Sequence, residues 1–231
     1  MKEVNSYGWK AVIGSSIGYA MDGFDLLILG FMLSLISGDL GLTTGQAGSL
    51  VTWTLVGAVI GGFIFGTLSD KFGRVRVLTW TIVLFAIFTG LCALAQGYWD
   101  LLIYRTIAGI GLGGEFGIGM ALAAEAWPAQ HRAKATSYVA IGWQLGVLAA
   151  ALLTPVLLPY IGWRGMFLVG IIPAFVAWIF RAKLHEPEIF VQSKEIKENS
   201  HTNSFKLLVK DVRTTKTSIG VAVLTSVQNF G

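Results

Sequence analysis

GTLSDKFGRVRVL, residues 66–78, is a short polar break between two long apolar runs. Its Gly66, Asp70, Gly73 and Arg74 follow the pattern G-x-x-x-D-x-x-G-R. Gly73 permits a tight turn that a side chain would obstruct. Asp70 and Arg74 stand four residues apart, close enough to pair on one side of that turn. With Lys71 and Arg76 also present the break is basic. A basic turn between apolar runs is what the cytoplasmic end of a membrane hairpin carries.

The rest of the chain agrees. Of its 231 residues 54% are hydrophobic and only 13% are charged, against about 25% charged in ordinary soluble domains. That little charge cannot cover a globular surface, so lipid is the expected solvent. Six apolar stretches each reach the length of about 20 residues that a helix needs to cross a bilayer. They lie near 9–37, 47–69, 77–96, 100–127, 136–160 and 163–182, and a seventh begins near Thr217. The expected fold is all-α and polytopic.

The net charge of +4 reflects topology rather than nucleic-acid binding. With the N-terminus taken as cytoplasmic, all of the 17 Lys and Arg except Arg105 and Arg164 fall on the inner side. By the positive-inside rule that places the N-terminus in the cytoplasm and the protein in the cell's inner membrane. A single cysteine, Cys92, excludes an internal disulfide and a multi-cysteine metal set. His131, His185 and His201 sit in polar segments without metal-ligand spacing, so no metal or other cofactor is expected. The first apolar run is too long and too interrupted by charge for a cleavable signal peptide.

The chain divides into a helical bundle over 1–182, a cytoplasmic linker over 183–216, and the start of a seventh span over 217–231. The linker holds one amphipathic patch, FKLLVKDV (205–212), expected to lie as a surface helix. Six spans, a linker and a seventh span read as half of a larger plan; a complete six-span protein with a frayed tail is the alternative. Gly57, Gly61, Gly62 and Gly66 in the second span, and Gly109, Gly113 and Gly117 in the fourth, form small-residue faces suited to close helix packing. Gln96, Tyr98 and Trp99 read as an outer interfacial belt.

Charges inside the spans carry the functional signal. GYAMDGFDLLILG (18–30) places Asp22 and Asp25 three residues apart, on one helix face. Each ionised carboxylate at that depth costs about 2.5–3.5 kcal/mol on insertion scales. Glu115 lies near the middle of the fourth span, and Arg105 ten residues earlier, about −80° around the helix from it, so both can face one cavity. One Arg against three carboxylates cannot leave every group charged in a dry site, which suits groups that take up and release a proton. Asp22, Asp25 and Glu115 are therefore the proton-coupling candidates. Arg105 is either their partner or the bidentate anchor of an anionic substrate. The bland alternative is a fixed ion pair that ties the first span to the fourth. Tyr19 and Gln144 are further substrate-binding candidates, with Trp143 beside them as cavity lining or packing.

The 66–78 motif resembles the loop signature of the major facilitator superfamily, and it stands where that family has it, between the second and third spans. YRTIAGIGLGGEFGIG (104–119), EAWPAQHRAKA (125–135), GWRGMF (162–167) and HEPEIF (185–190) resemble family segments in the same order. The resemblance implies a six-helix N-terminal bundle built as a 3+3 inverted repeat, with transport by alternating access. It also implies a gating cluster at the inner surface: Gly66, Asp70, Gly73 and Arg74, joined by Glu125 and Arg132. The acidic pair of the first span and the Gly-Gly-Glu-Phe of the fourth look like the proton-coupled metabolite symporters, the aromatic-acid and sialic-acid carriers among them. The doubled Gly-Pro of antiporters is absent from AIGWQLGVLAAALLTP (140–155). The expected partners are a small carboxylate substrate, the proton, the lipid bilayer and a missing C-terminal half. A sugar or polyol carrier is the alternative of the same class, and a half-transporter inactive by itself is the alternative of another class. No nucleophile–base pair or dinucleotide fingerprint points to an enzyme.

Overall fold

The computed structural model describes residues 6–181 and residue 186. All the secondary structure described is helical: α1 (Ser6–Leu40), α2 (Thr44–Phe72), α3 (Arg74–Cys92), α4 (Tyr98–Glu125), a single 3-10 turn (Ala129–His131) and α5 (Arg132–Arg181). The expected linker with its FKLLVKDV helix and the expected seventh span lie outside the described residues. Each of the five long helices is apolar enough to cross a membrane. Even α3, with 19 residues, measures about 28 Å and matches a hydrocarbon core of about 30 Å.

Local chemistry sets the helix ends. Thr43 caps α2 in a capping box: its side chain accepts from the Gln46 N–H while the Gln46 side chain accepts from the Thr43 N–H. Gly41, at φ +64°, makes the turn out of α1, and the Leu42 N–H reaches back to the Ser37 carbonyl. Between α2 and α3 the only residue is Gly73, at φ +112° and ψ +151°. That region of backbone space belongs essentially to glycine, so the sharp reversal at the 66–78 loop depends on it.

The expected fifth and sixth spans form one helical run of 50 residues with non-helical backbone at Gly162, φ +63° and ψ +179°. Arg132 follows α4 at the end of the bundle that holds the 66–78 loop, hereafter the basic end. Trp163 and Arg164, just past Gly162, reach Asp39 at the other end of α1, the far end. Glu186 is back at the basic end, bonded to residues 74–76.

Helix α1 packs chiefly on α5, and α2 on α4, with α3 beside α4 and α5. The small-residue faces explain how α2 and α4 come so close. A Cβ at Gly57 or Gly61 would strike the carbonyls of Thr106 and Ile110, and one at Gly109 or Gly113 those of Thr54 and Ala58. Gly66 and Gly117, expected on the same faces, meet nothing and take no part; they extend the four-residue spacing past the helix crossing. A second such contact went unread in the sequence: Gly142 and Gly146 of α5 lie against the carbonyls of Ser16 and Ala20 on α1. The outer surface is rich in exposed Phe63, Leu152 and Val59, as a lipid-facing surface requires.

Candidate functional site

Two clusters of polar groups stand out, one inside the bundle and one at the basic end. Inside, Arg105 donates from Nη1 to Asp25 Oδ1 at 3.0 Å and from Nη2 to Asp25 Oδ2 at 2.7 Å. This is the two-pronged geometry that guanidinium and carboxylate favour. Arg105 is 0% exposed and Asp25 1%, so α1 and α4 are joined by an ion pair shielded from solvent. Chain direction explains the choice of Asp25. Helix α4 enters from the far end and reaches Arg105 within two turns, whereas α1 runs toward that end. Asp25 lies about 4.5 Å farther along than Asp22 and meets Arg105 at its own depth.

Asp22 is also fully buried, on the same face of α1. Glu115, 3% exposed, lies about 15 Å beyond Arg105 along α4. Its Oε2 accepts from Thr81 Oγ1 of α3 at 3.3 Å. Arg105 thus engages α1 while Glu115 is bonded to α3. Tyr19 is half-buried and packs at a tilt against two rings, Phe116 at 5.0 Å and Trp143 at 5.1 Å. Phe116, next to Glu115, is 45% exposed. Gln144 is exposed on α5.

At the basic end Arg74 is the hub. It pairs with Asp70 at 2.8 Å, grips both oxygens of Glu125 from Nε and Nη2, and donates to Ser69 Oγ at 2.6 Å. The loop is thereby tied to the end of α4. Arg132 does not join: it is exposed in the first turn of α5 and forms no ion pair among the described residues. It stands beyond the 3-10 turn, on the solvent side of the first turn of α5. Gly66, one turn before Asp70, contributes its carbonyl as acceptor for Ser69 Oγ.

The sequence reading missed Glu186. Its carboxylate accepts from the backbone N–H groups of Arg74 (2.7 Å), Val75 (3.2 Å) and Arg76 (3.1 Å). Helix α3 has no side-chain cap and no acid of its own in its first turn. Glu186 supplies both, satisfying the orphan donors and the positive end of the helix dipole from 112 residues away. Only the HEPEIF segment hinted at it, without a role. A third cluster, also unread, closes the far end. Asp39 accepts from Trp163 Nε1 at 3.1 Å and from Arg164, and Arg164 donates further to the Ala95 carbonyl. Among the described residues no metal-binding set of His, Cys, Asp and Glu gathers.

The family profile described as Major Facilitator Superfamily matches residues 15–230. A Haemophilus influenzae relative, provisionally named a metabolite transport protein, is 76% identical over 99% of this chain and 58% of its own length. The cis,cis-muconate transport protein of Acinetobacter baylyi is 33% identical over 99% of this chain and 56% of its own length. Among solved structures, the inward-open xylose transporter XylE from E. coli superposes with a TM-score of 0.72 at 22% identity, covering 97% of this chain and 57% of that one. That last likeness is one of fold. The chain spans a little over half the length of these proteins. With its five long apolar helices it is a multi-pass membrane protein of a transporter family, not an enzyme. The chain belongs to the Major Facilitator Superfamily.

Proposed function

We propose that the chain forms the N-terminal half of a proton-coupled carrier that takes up small organic acids across the cell's inner membrane. In this reading the run Arg132–Arg181 crosses twice, with its turn at Gly162, which makes six crossings with the N-terminus in the cytoplasm. A single straight helix of 50 residues would be about 75 Å long, far beyond a bilayer. The basic end faces the cytoplasm by the positive-inside rule. The chain supplies one wall of the path, and a C-terminal half supplies the other.

The observation that carries the proposal is the buried, bidentate Arg105–Asp25 pair. A substrate carboxylate offers Arg105 the same fork that Asp25 does. When it takes that place, Asp25 is left as a lone buried carboxylate, and such a group is strongly disfavoured while charged. Asp25 then takes up a proton. Arg105 keeps one anionic partner throughout, and an acid and a proton enter together. Asp22 and Glu115, both buried near this pair's depth or below it, are the further stations for the proton. Tyr19, with Phe116 and Trp143, lines the substrate's approach, and exposed Gln144 faces the missing half. The Arg74 cluster holds the cytoplasmic end closed. Rocking of the two halves about this site gives alternating access. The muconate carrier's similarity favours a carboxylate over a sugar.

The complete burial of the pair supports one second reading: Asp25 and Arg105 are a strut between α1 and α4, and Asp22 is the proton carrier. Uptake of labelled cis,cis-muconate and of xylose is measured in cells expressing the chain alone or joined to the remaining part of the Haemophilus relative. The proposal expects carboxylate uptake only from the joined protein, abolished by a protonophore and not competed by xylose. Uptake indifferent to the proton gradient and competed by sugars would sink it.

A further inference from the structure

We infer that Phe167 is a positioning residue for the coupling site: its ring is a fixed second partner that holds the Arg105 guanidinium in place while the carboxylate partner changes. This rests on the reading of Asp25 and Arg105 given above.

The Arg105 guanidinium carbon lies 5.7 Å from the centroid of the Phe167 ring, inside the range of an attractive cation–ring contact. Both side chains are completely buried, so water does not weaken the attraction. No hydrogen bond reaches Arg105 Nε. Asp25, the Cys92 sulfur and the Phe167 ring are the groups around the cation; the carboxylate pairs with its charge and the ring adds the cation–ring attraction. The ring is itself held. Trp163 meets it edge-on at 6.0 Å and 90°, and Trp163 is tied through Nε1 to Asp39 on α1. A ring anchored to the far-end cluster does not follow the guanidinium if it swings.

The consequence concerns protonation. While Asp25 is charged, its carboxylate dominates the hold on Arg105. In a titration without substrate, once Asp25 is neutral, the ring and the Cys92 sulfur are the remaining stabilisers of a buried cation. Removing the ring disfavours the protonated state more than the ion-paired one. The other titratable groups brought to this region are Asp22 from α1, Cys92 from α3, and Tyr104 and Glu115 from α4. The facing stretches of α2 and α5 bring none.

The test uses the chain itself, purified and reconstituted in lipid, with infrared spectroscopy of the carbonyl stretch of protonated carboxylic acids during a pH titration. The Asp25 band is the one missing from the Asp25→Asn/Arg105→Gln double variant, which leaves no lone buried charge. Phe167→Leu and Phe167→Met both remove the ring but fill its space, and Phe167→Tyr keeps it. The inference expects the Asp25 band's midpoint to move toward acid by roughly one pH unit in the ring-less variants, with Phe167→Tyr at the wild-type value. A wild-type midpoint in either ring-less variant overturns the role of Phe167. A titration with no band that depends on Asp25 overturns instead the reading on which it rests.

Discussion

Replacing Gly73 by alanine tests how the 66–78 loop is built. The backbone at φ +112°, ψ +151° lies in a region that costs a residue with a Cβ about 1–3 kcal/mol. The new methyl would also collide with the Glu186 carboxylate, whose Cδ lies 2.6 Å from the ideal Cβ position. If Glu186 moves away, three backbone N–H groups lose an anionic acceptor. Bonds to charged groups are each worth about 1.5–3 kcal/mol; Glu186 is only half-buried, so about 2 kcal/mol for the set is reasonable. The two terms together give roughly 3–5 kcal/mol. In a protein of this size that lowers the thermal midpoint by about 6–20 °C, measured as the loss of monodisperse protein from detergent solution. A double-mutant cycle separates the terms. In a Glu186→Ala background the collision and the lost bonds no longer count, so Gly73→Ala should cost only the backbone share, with a coupling of about 2 kcal/mol. Strict additivity of the two changes, or a Gly73→Ala protein as stable as wild type, would refute this account of the loop.

Three further outcomes follow from the helix contacts. Asp25→Asn or Arg105→Gln alone leaves one charge buried and unpaired, and should destabilise by about 3–5 kcal/mol; the double variant should recover most of that in the same thermal assay. Gly113→Val should disrupt the α2–α4 crossing, because any Cβ there meets the Ala58 carbonyl. Gly66→Ala and Gly117→Ala, in open space within helices, should be neutral or stabilising by about 0.5–1 kcal/mol, measured by membrane abundance and thermal midpoint.

The all-helical, apolar architecture was legible because it is written in local periods: runs of about 20 apolar residues, broken by short polar turns. Gly73 and the Asp70–Arg74 spacing were legible for the same reason, since a turn and an i,i+4 pair are local events. The partner choices inside the bundle were not. Asp22 and Asp25 share a face, so the sequence offered Arg105 either one. The depth at which α4 crosses α1 selected Asp25, and that depth is a property of packing. Glu186 was beyond reach because a cap supplied from 112 residues away leaves no pattern near α3. The α1–α5 contact at Gly142 and Gly146 carries the same four-residue glycine spacing as the others, and the sequence could have yielded it. Arg132 shows the opposite error: proximity in sequence to Glu125 suggested a shared cluster, but the turn between them carried it out to solvent.

The central claim is that proton and acid share the Asp25–Arg105 pair. Its most direct test is proton movement itself, followed with a pH electrode in an unbuffered suspension of cells that express the chain joined to the remaining part of the Haemophilus relative. Adding cis,cis-muconate should make the medium of wild-type cells alkaline as protons enter with the acid. Asp25→Asn should abolish the alkalinisation while leaving downhill exchange of preloaded substrate measurable. Alkalinisation of wild-type size from the Asp25→Asn protein, with Asp22→Asn silent, would contradict the claim and make the pair a strut.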